Sequence, residues 1–243
     1  MDNTDLILKE IFTSTLLTKK QKILKAEEML TEKIAIDTFN LELYFKLAVV
    51  VLEEPEIDFI KSIECMEKVL SYDKMNKEAI IFLSWIQYFY RGYVNSSALI
   101  LLDNLLNDAK IDSLSKSLIY LSKSWSADID EEQRFCFLEK SIESNTTYVH
   151  NYIELANLYR NKGDLDTEKD LILKALRNVE KIYLVDKSFD ITVVKQYLGD
   201  CFKGFIDDSF YDIPTYNLFK REFILGNITD SYKISCILES ISS

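Results

Sequence analysis

Turn-forming residues are scarce in this sequence. Five glycines and two prolines occur among 243 residues, which is well below the usage of an average protein. Folds built from β-strands need such residues at many tight turns. The composition therefore argues against an all-β protein and favours a helical one.

Residues of the common catalytic and metal sites are also few. The single histidine, His150, has no cysteine or second histidine near it in the sequence, so it cannot complete a zinc site. The strings typical of phosphate-binding loops, dinucleotide-binding folds, zinc proteases and serine hydrolases do not occur. We therefore predict no catalytic residue, no cofactor and no metal ion, and we expect that the protein is not an enzyme.

The cysteines lie far apart and form no CxxC pair. They are Cys65, Cys136, Cys201 and Cys236, and their apolar surroundings favour reduced, packed thiols in a cytoplasmic protein. The amino-terminal residues lack the pattern of a signal peptide. The longest uncharged apolar run, residues 79–90, is too short to cross a bilayer. We expect a soluble cytoplasmic protein that does not enter a membrane.

Negative charge is in excess. The formal net charge is −11, from 40 acidic and 29 basic residues, and the excess is spread along the chain. Such a chain repels phosphate backbones, so nucleic acid is a poor candidate partner. Another protein with a basic surface is a better one.

Helical periodicity runs through most of the sequence. Apolar residues recur at spacings of three and four, as in Leu41, Tyr44, Leu47, Ala48 and Val51. Short polar segments separate runs of about 12 to 16 residues, the length of ordinary globular helices. The pattern predicts an all-α fold of antiparallel helix hairpins joined by tight turns.

One stretch carries the spacing of a known repeat. Residues 152–180, YIELANLYRNKGDLDTEKDLILKALRNVE, resemble one tetratricopeptide repeat (TPR) at Tyr152, Leu155, Ala156, Tyr159, Gly163, Ile172 and Ala175. Glu168 and Glu180 stand where that repeat has alanine and proline. Weaker copies precede it, with the same eleven-residue step between units from Val69 to Ile80 and from Ser141 to Tyr152.

The resemblance implies a single domain over residues 1–243. We expect a right-handed TPR-like α-solenoid with an isolated repeat helix at 19–40, hairpins over 41–205, and a loop and helical carboxy-terminal cap over 206–243. In this family the first helix of each hairpin lines a concave groove. The candidate groove residues are Phe45, Val49, Ile81, Trp85, Tyr88, Phe89, Lys123, His150, Asn157 and Arg160. The aromatic members either pack in the core or anchor a partner.

Two acidic clusters form a second candidate surface. One comprises Glu53, Glu54, Glu56 and Asp58, and the other Asp128, Asp130, Glu131 and Glu132. Neither has the ligand order of a calcium loop. Both suit solvated turns and helix amino termini, and both could meet a basic partner.

These features predict a non-catalytic protein that acts by capturing a partner protein. One version is an acidic inhibitor or immunity-type protein that neutralises a basic toxin. The alternative is a secretion chaperone or assembly adaptor that binds a peptide in the concave groove. A further hypothesis, outside the class of protein-binding modules, is a hydrolase with an unrecognised carboxylate site. The sequence leaves the oligomeric state open.

Overall fold

The computed structural model describes residues 4–52, 56–146 and 150–179. Helices account for more than two-thirds of these residues, and within them the only β-type pairing is an isolated bridge between Val94 and Ser126. The helices are α1 (Thr4–Thr13), α2 (Lys19–Ile36), α3 (Leu41–Val50), α4 (Phe59–Tyr72), α5 (Lys77–Arg91), α6 (Ser96–Leu106), α7 (Ser113–Ser124), α8 (Glu131–Ser144), α9 (His150–Lys162) and α10 (Leu165–Val179). The all-α prediction is confirmed. The expected cap over 206–243 lies outside the described residues.

Successive helices pair into hairpins, and each helix packs mainly on the helices next to it in the sequence. First helices of the hairpins begin at Leu41, Lys77, Ser113 and His150, so the repeat advances by 36, 36 and 37 residues. This stack of antiparallel hairpins is the TPR-like arrangement that the sequence predicts. Its period is slightly longer than the 34 residues of the standard repeat.

The helix over 19–36 also has a partner in front of it. Helix α1 packs against α2, with Leu8 and Ile11 almost completely buried. The sequence pattern indicates only the second helix of this hairpin, because α1 is short and lacks the small residue of the repeat. The stack therefore begins one helix earlier than expected.

Side-chain caps set where most of these helices begin. A side-chain oxygen at each of these positions accepts a hydrogen bond from the backbone N–H three residues later, at Thr18, Asp58, Asn76, Asn95, Asp112 and Asp130. Two hairpin turns instead need glycine: Gly92 and Gly163 have φ of 80° and 81°. Only glycine adopts this left-handed conformation without strain.

Small residues occupy the places where helices approach closely. Ala48, Ser84 and Ala156 are at most 1% exposed, as the repeat spacing predicts. Ser84 stands where the repeat has alanine, and its Oγ donates within the helix to the Ile80 carbonyl at 2.8 Å. The polar group is thereby satisfied without a gap in the packing.

A buried polar network joins helix α9 to the hairpin of α7 and α8. Asn151 Nδ2 in α9 donates to Ser117 Oγ in α7 at 2.8 Å, and Ser141 Oγ in α8 donates to the Ser117 carbonyl at 2.5 Å. All three residues are completely buried. These bonds fix how α9 sits on the preceding hairpin, since a shifted register would leave buried polar groups unpaired.

Candidate interaction surface

The apolar residues predicted for the groove are largely buried. Phe45, Val49, Ile81 and Trp85 are at most 7% exposed, and Tyr88 and Phe89 are half-buried. In this structure a partner therefore has little access to the first four. The prediction that these residues contact a partner stays a prediction.

An aromatic cluster connects the hairpin of α5 and α6 with the hairpin of α7 and α8. The rings of Trp85 and Phe89 lie 4.4 Å apart, and Tyr88 stacks on Trp125 at 4.1 Å with an interplanar angle of 6°. Such pairs stabilise by about 0.5–1.5 kcal/mol beyond the area that they bury. The arrangement holds α5 against the end of α7.

The positive charges predicted for the groove are paired within the chain. Lys123 Nζ donates to Asp103 Oδ1, and Arg160 Nε donates to Glu168 Oε1 at 2.6 Å. Glu168, which replaces the small residue of the repeat, is 3% exposed, so Arg160 provides a counter-charge for a buried carboxylate. Asn157 is half-buried. His150 is the first residue of α9. Its side chain is not among those that the structure describes.

The first acidic cluster surrounds the turn before α4. Asp58 caps that helix by accepting from the Lys61 backbone N–H at 2.9 Å. Glu56 Oε1 lies 2.6 Å from Lys20 Nζ. Glu53 and Glu54 lie outside the described residues. Part of this cluster therefore has a structural role at a helix terminus.

The second acidic cluster surrounds the turn before α8. Asp130 caps the helix by accepting from the Gln133 backbone N–H at 2.7 Å, and Glu131 lies 3.5 Å from Lys162. Asp128 and Glu132 are exposed, and neither makes an ion pair within the described part of the chain. These two carboxylates remain open to an approaching cation.

The two clusters share one edge of the stack. Glu56 and Asp58 of the first cluster and the residues of the second lie at turns that lead from the first to the second helix of a hairpin. We name this row of turns, over residues 14–18, 51–52, 56–58, 92–95, 125–130 and 163–164, the turn edge. Neighbouring hairpins contact each other at or beside these turns through the pairs Lys20–Glu56, Phe59–Tyr90, Val94–Trp125 and Glu131–Lys162. These contacts join the five described hairpins along the turn edge.

Apolar side chains are exposed on the same edge. Ile57, Ile60, Tyr90 and Tyr93, which we name the apolar patch, are 40%, 55%, 44% and 40% exposed. The rings of Phe59 and Tyr90 stack at 5.7 Å, which joins the hairpin that carries the isoleucines to the hairpin that carries the tyrosines. Sequence spacing does not identify the apolar patch, because its members come from different hairpins.

The described residues offer little to metal or redox chemistry. No group of three or more histidine, cysteine or acidic side chains among them is placed to hold a metal ion. Burial raises the pKa of the Cys65 thiol to about 12, so this cysteine is a protonated, packed side chain at neutral pH. Cys136 is exposed, and Cys201 and Cys236 fall beyond the described ranges. In the part of the chain that the structure describes, no helix could span a membrane.

Solved structures of MamA have a similar fold. A crystal structure of MamA matches with a TM-score of 0.51 at 19% sequence identity, covering 74% of this chain and 96% of that one. The MamA RS-1 ArsTM double mutant matches with a TM-score of 0.52 at 15% identity, covering 78% and 99%. No protein-family model and no curated protein matches the chain. At such identities the likeness concerns the fold alone, and that fold is a TPR-like helical solenoid.

Proposed function

We propose that this chain is a non-catalytic protein-binding module whose turn edge captures a protein with a basic surface. One observation carries the proposal: Glu56 and Asp58 of the first acidic cluster and the residues of the second, distant in the sequence, lie on the same edge of the stack. Asp128 and Glu132 in the second cluster are exposed and have no ion pair among the described residues. Carboxylates in this state attract a cationic surface at long range.

The finer form of the proposal is an inhibitor or immunity-type protein. Covering a basic surface with carboxylates would block the same surface from meeting nucleic acid or another anionic substrate. Such a complex should form rapidly at low ionic strength, because attraction over distances greater than about 8–10 Å is screened at physiological salt. An adaptor that binds an extended apolar segment would associate at a rate that salt barely changes.

The test begins with capture of proteins on the immobilised full chain at low ionic strength. The association rate of each purified partner is then measured as salt is raised. A variant carrying Asp128→Lys and Glu132→Lys removes two open carboxylates without disturbing the cap at Asp130. We expect this variant to associate at least about tenfold more slowly, since electrostatic steering accelerates association by about 10–1,000-fold.

A matched control reverses two carboxylates elsewhere. Glu28 and Glu32 are exposed in α2 and lie away from the turn edge, so Glu28→Lys with Glu32→Lys gives the same change in net charge. Slower association of only the turn-edge variant supports the proposal. Equal slowing of both variants, or an association rate that neither salt nor reversal changes, would contradict it.

A further inference from the structure

Helix α3 is buried all the way around. Its residues 43–50 are buried without a break. Because a helix turns about 100° per residue, this unbroken run faces every direction around the helix axis. Helix α5 is buried in the same way over residues 79–87. Both helices therefore have neighbours on every side, including the side that lines the predicted concave groove.

The second helices of the hairpins show a different pattern. In α2 the buried residues Ile23, Ala26 and Leu30 form one face, and in α4 the outer residues Glu64 and Glu67 are exposed. One face in the core and one in solvent is typical of a helix in an outer layer. In a stack of only two layers, the first helices would show this pattern too. The continuous burial of α3 and α5 indicates instead that a third layer covers them.

The described helices do not account for this cover. Helix α3 packs mainly on α2 and α4, and α5 packs mainly on α4, α6 and α7. Helix α1 meets α3 at the ion pair between Asp5 and Lys46. All of these helices are neighbours along the stack. The cover over Phe45, Ile81 and Trp85, which are 4%, 4% and 7% exposed, must come from another part of the molecule.

We propose that residues 206–225 of the same chain fold back over the groove and cover α3 and α5. Helix α10 ends at Val179, and the repeat resemblance extends to residue 205, which leaves residues 206–243 for another role. Aromatic residues are dense in the proposed segment, at Phe210, Tyr211, Tyr216, Phe219 and Phe223. Aromatic rings favour contact with other rings, and the groove supplies those of Phe45 and Trp85.

The length of the segment suits this position. Packed helices lie about 8–10 Å apart, so the groove over α3, α5 and α7 is about 16–20 Å long. A segment of about twenty residues spans about 30 Å as a helix and about 65 Å when extended. Residues 206–225 can therefore cross the buried part of the groove in either conformation.

The inference goes beyond the proposed function, because it concerns the groove and not the turn edge. A groove that the chain itself occupies is closed to an extended apolar peptide until the segment leaves. Such a peptide would have to displace residues 206–225. A basic protein, in contrast, could reach the turn edge with the segment in place.

Photocrosslinking of the full chain identifies what covers the groove. Phe45→benzoylphenylalanine places a photoreactive ring at a position that is 4% exposed, and mass spectrometry identifies the crosslinked peptides. We expect a crosslink to residues 206–225 within a single chain. Phe39→benzoylphenylalanine, at a 75% exposed position, is the matched control and should give no crosslink to that segment.

The crosslinking result can contradict the inference in several ways. A photoreactive ring at position 45 that links only to other segments, only to a second chain, or to nothing overturns it. A control at position 39 that links to residues 206–225 just as well also overturns it, because the contact would then be unspecific.

Tryptophan fluorescence tests the same contact without a crosslinker. Trp85 and Trp125 are the only tryptophans of the sequence, so Trp125→Phe leaves Trp85 as the sole reporter in the groove. In this background, Phe219→Ser with Phe223→Ser should raise acrylamide quenching of Trp85 by about threefold or more. The reason is that loss of two packed rings opens a path for the quencher to a side chain that is 7% exposed in the parent.

A matched variant separates this effect from general loosening. Phe39 and Tyr72 contact each other at turns between hairpins, with ring centres 5.2 Å apart, so Phe39→Ser with Tyr72→Ser removes two aromatic rings away from the groove. Quenching in this variant should equal that of the parent. Equal quenching in all three proteins, or the same rise in both double variants, overturns the inference.

Circular dichroism checks that the helices remain in every variant. If the variant at Phe219 and Phe223 loses its helices, the crosslink from position 45 decides the question. Charge reversal on the turn edge leaves the groove residues unchanged, so failure of the proposed function and failure of this inference give separate results.

Discussion

A buried lysine attaches the first helix to the stack. Lys46 in α3 is 1% exposed, and its Nζ lies 2.5 Å from Asp5 Oδ1 of α1 and 2.5 Å from Glu42 Oε1. Burial alone would lower the pKa of Lys46, but the two carboxylates outweigh it and raise that pKa.

Removing the carboxylates should destabilise the protein more than removing the lysine. Asp5→Asn with Glu42→Gln leaves a buried ammonium without a counter-charge, which costs about 3–5 kcal/mol when a pair is fully buried. Because the carboxylates are 31% and 50% exposed, we expect a smaller loss of about 2–4 kcal/mol. Lys46→Met replaces the ion with an apolar chain of similar size, and its stability should stay within about 1 kcal/mol of the parent.

Guanidinium denaturation followed by circular dichroism measures these differences. Because the pKa of Lys46 is raised in the folded state, its contribution is complete below the ordinary value of 10.5 and is lost as the pH rises through the folded value. The parent should therefore lose stability relative to Lys46→Met above about pH 10.5. A Lys46→Met protein that is less stable than the double carboxylate variant at pH 7 would refute the reasoning.

Three further predictions concern packing, backbone and charge. Ala156→Leu should lower the free energy of unfolding by about 1–3 kcal/mol in denaturant titrations, since Ala156 is 1% exposed; a variant as stable as the parent would mean that the repeat register is wrong. Gly92→Ala should cost about 1–2 kcal/mol in the same assay, from backbone strain alone, because an added Cβ meets nothing within 4 Å. Partial burial alone would raise the pKa of Asp112, but hydrogen bonds from Lys77 and Ser115 hold it well below 3.8. The advantage of the parent over Asp112→Asn should therefore be complete above about pH 4 and disappear as the pH falls through the lowered value.

Much of the fold follows from residue spacing. Small residues such as Ala48 and Ala156 recur in register with large ones because close helix packing requires both, so the hairpins and their period are readable from the sequence. Helix α1 cannot be predicted from this residue spacing. Its burial depends on tertiary contacts of Leu8 and on the ion pair between Asp5 and Lys46, which join segments far apart in the sequence.

The candidate surface is less accessible to sequence reasoning. Acidic residues in turns are predictable because helix amino termini favour them, and Asp58 and Asp130 do cap helices. Spacing alone cannot decide whether Trp85 faces solvent or the interior. It also cannot place Tyr90 beside Phe59, since that contact arises only when neighbouring hairpins stack.

The packing of each helix mainly on its neighbours in the sequence has a consequence for folding and for change of length. Because most contacting residues are close in the sequence, each contact between helices closes only a short loop. Folding can therefore nucleate at several hairpins and spread to the next. Hydrogen exchange should then be fastest at the ends of the stack and slowest at its middle. Duplication or loss of one unit of about 36 residues would keep the same general mode of helix packing, and the chain could lengthen or shorten without a new core, at the cost of interface-specific contacts such as the Asn151–Ser117 hydrogen bond.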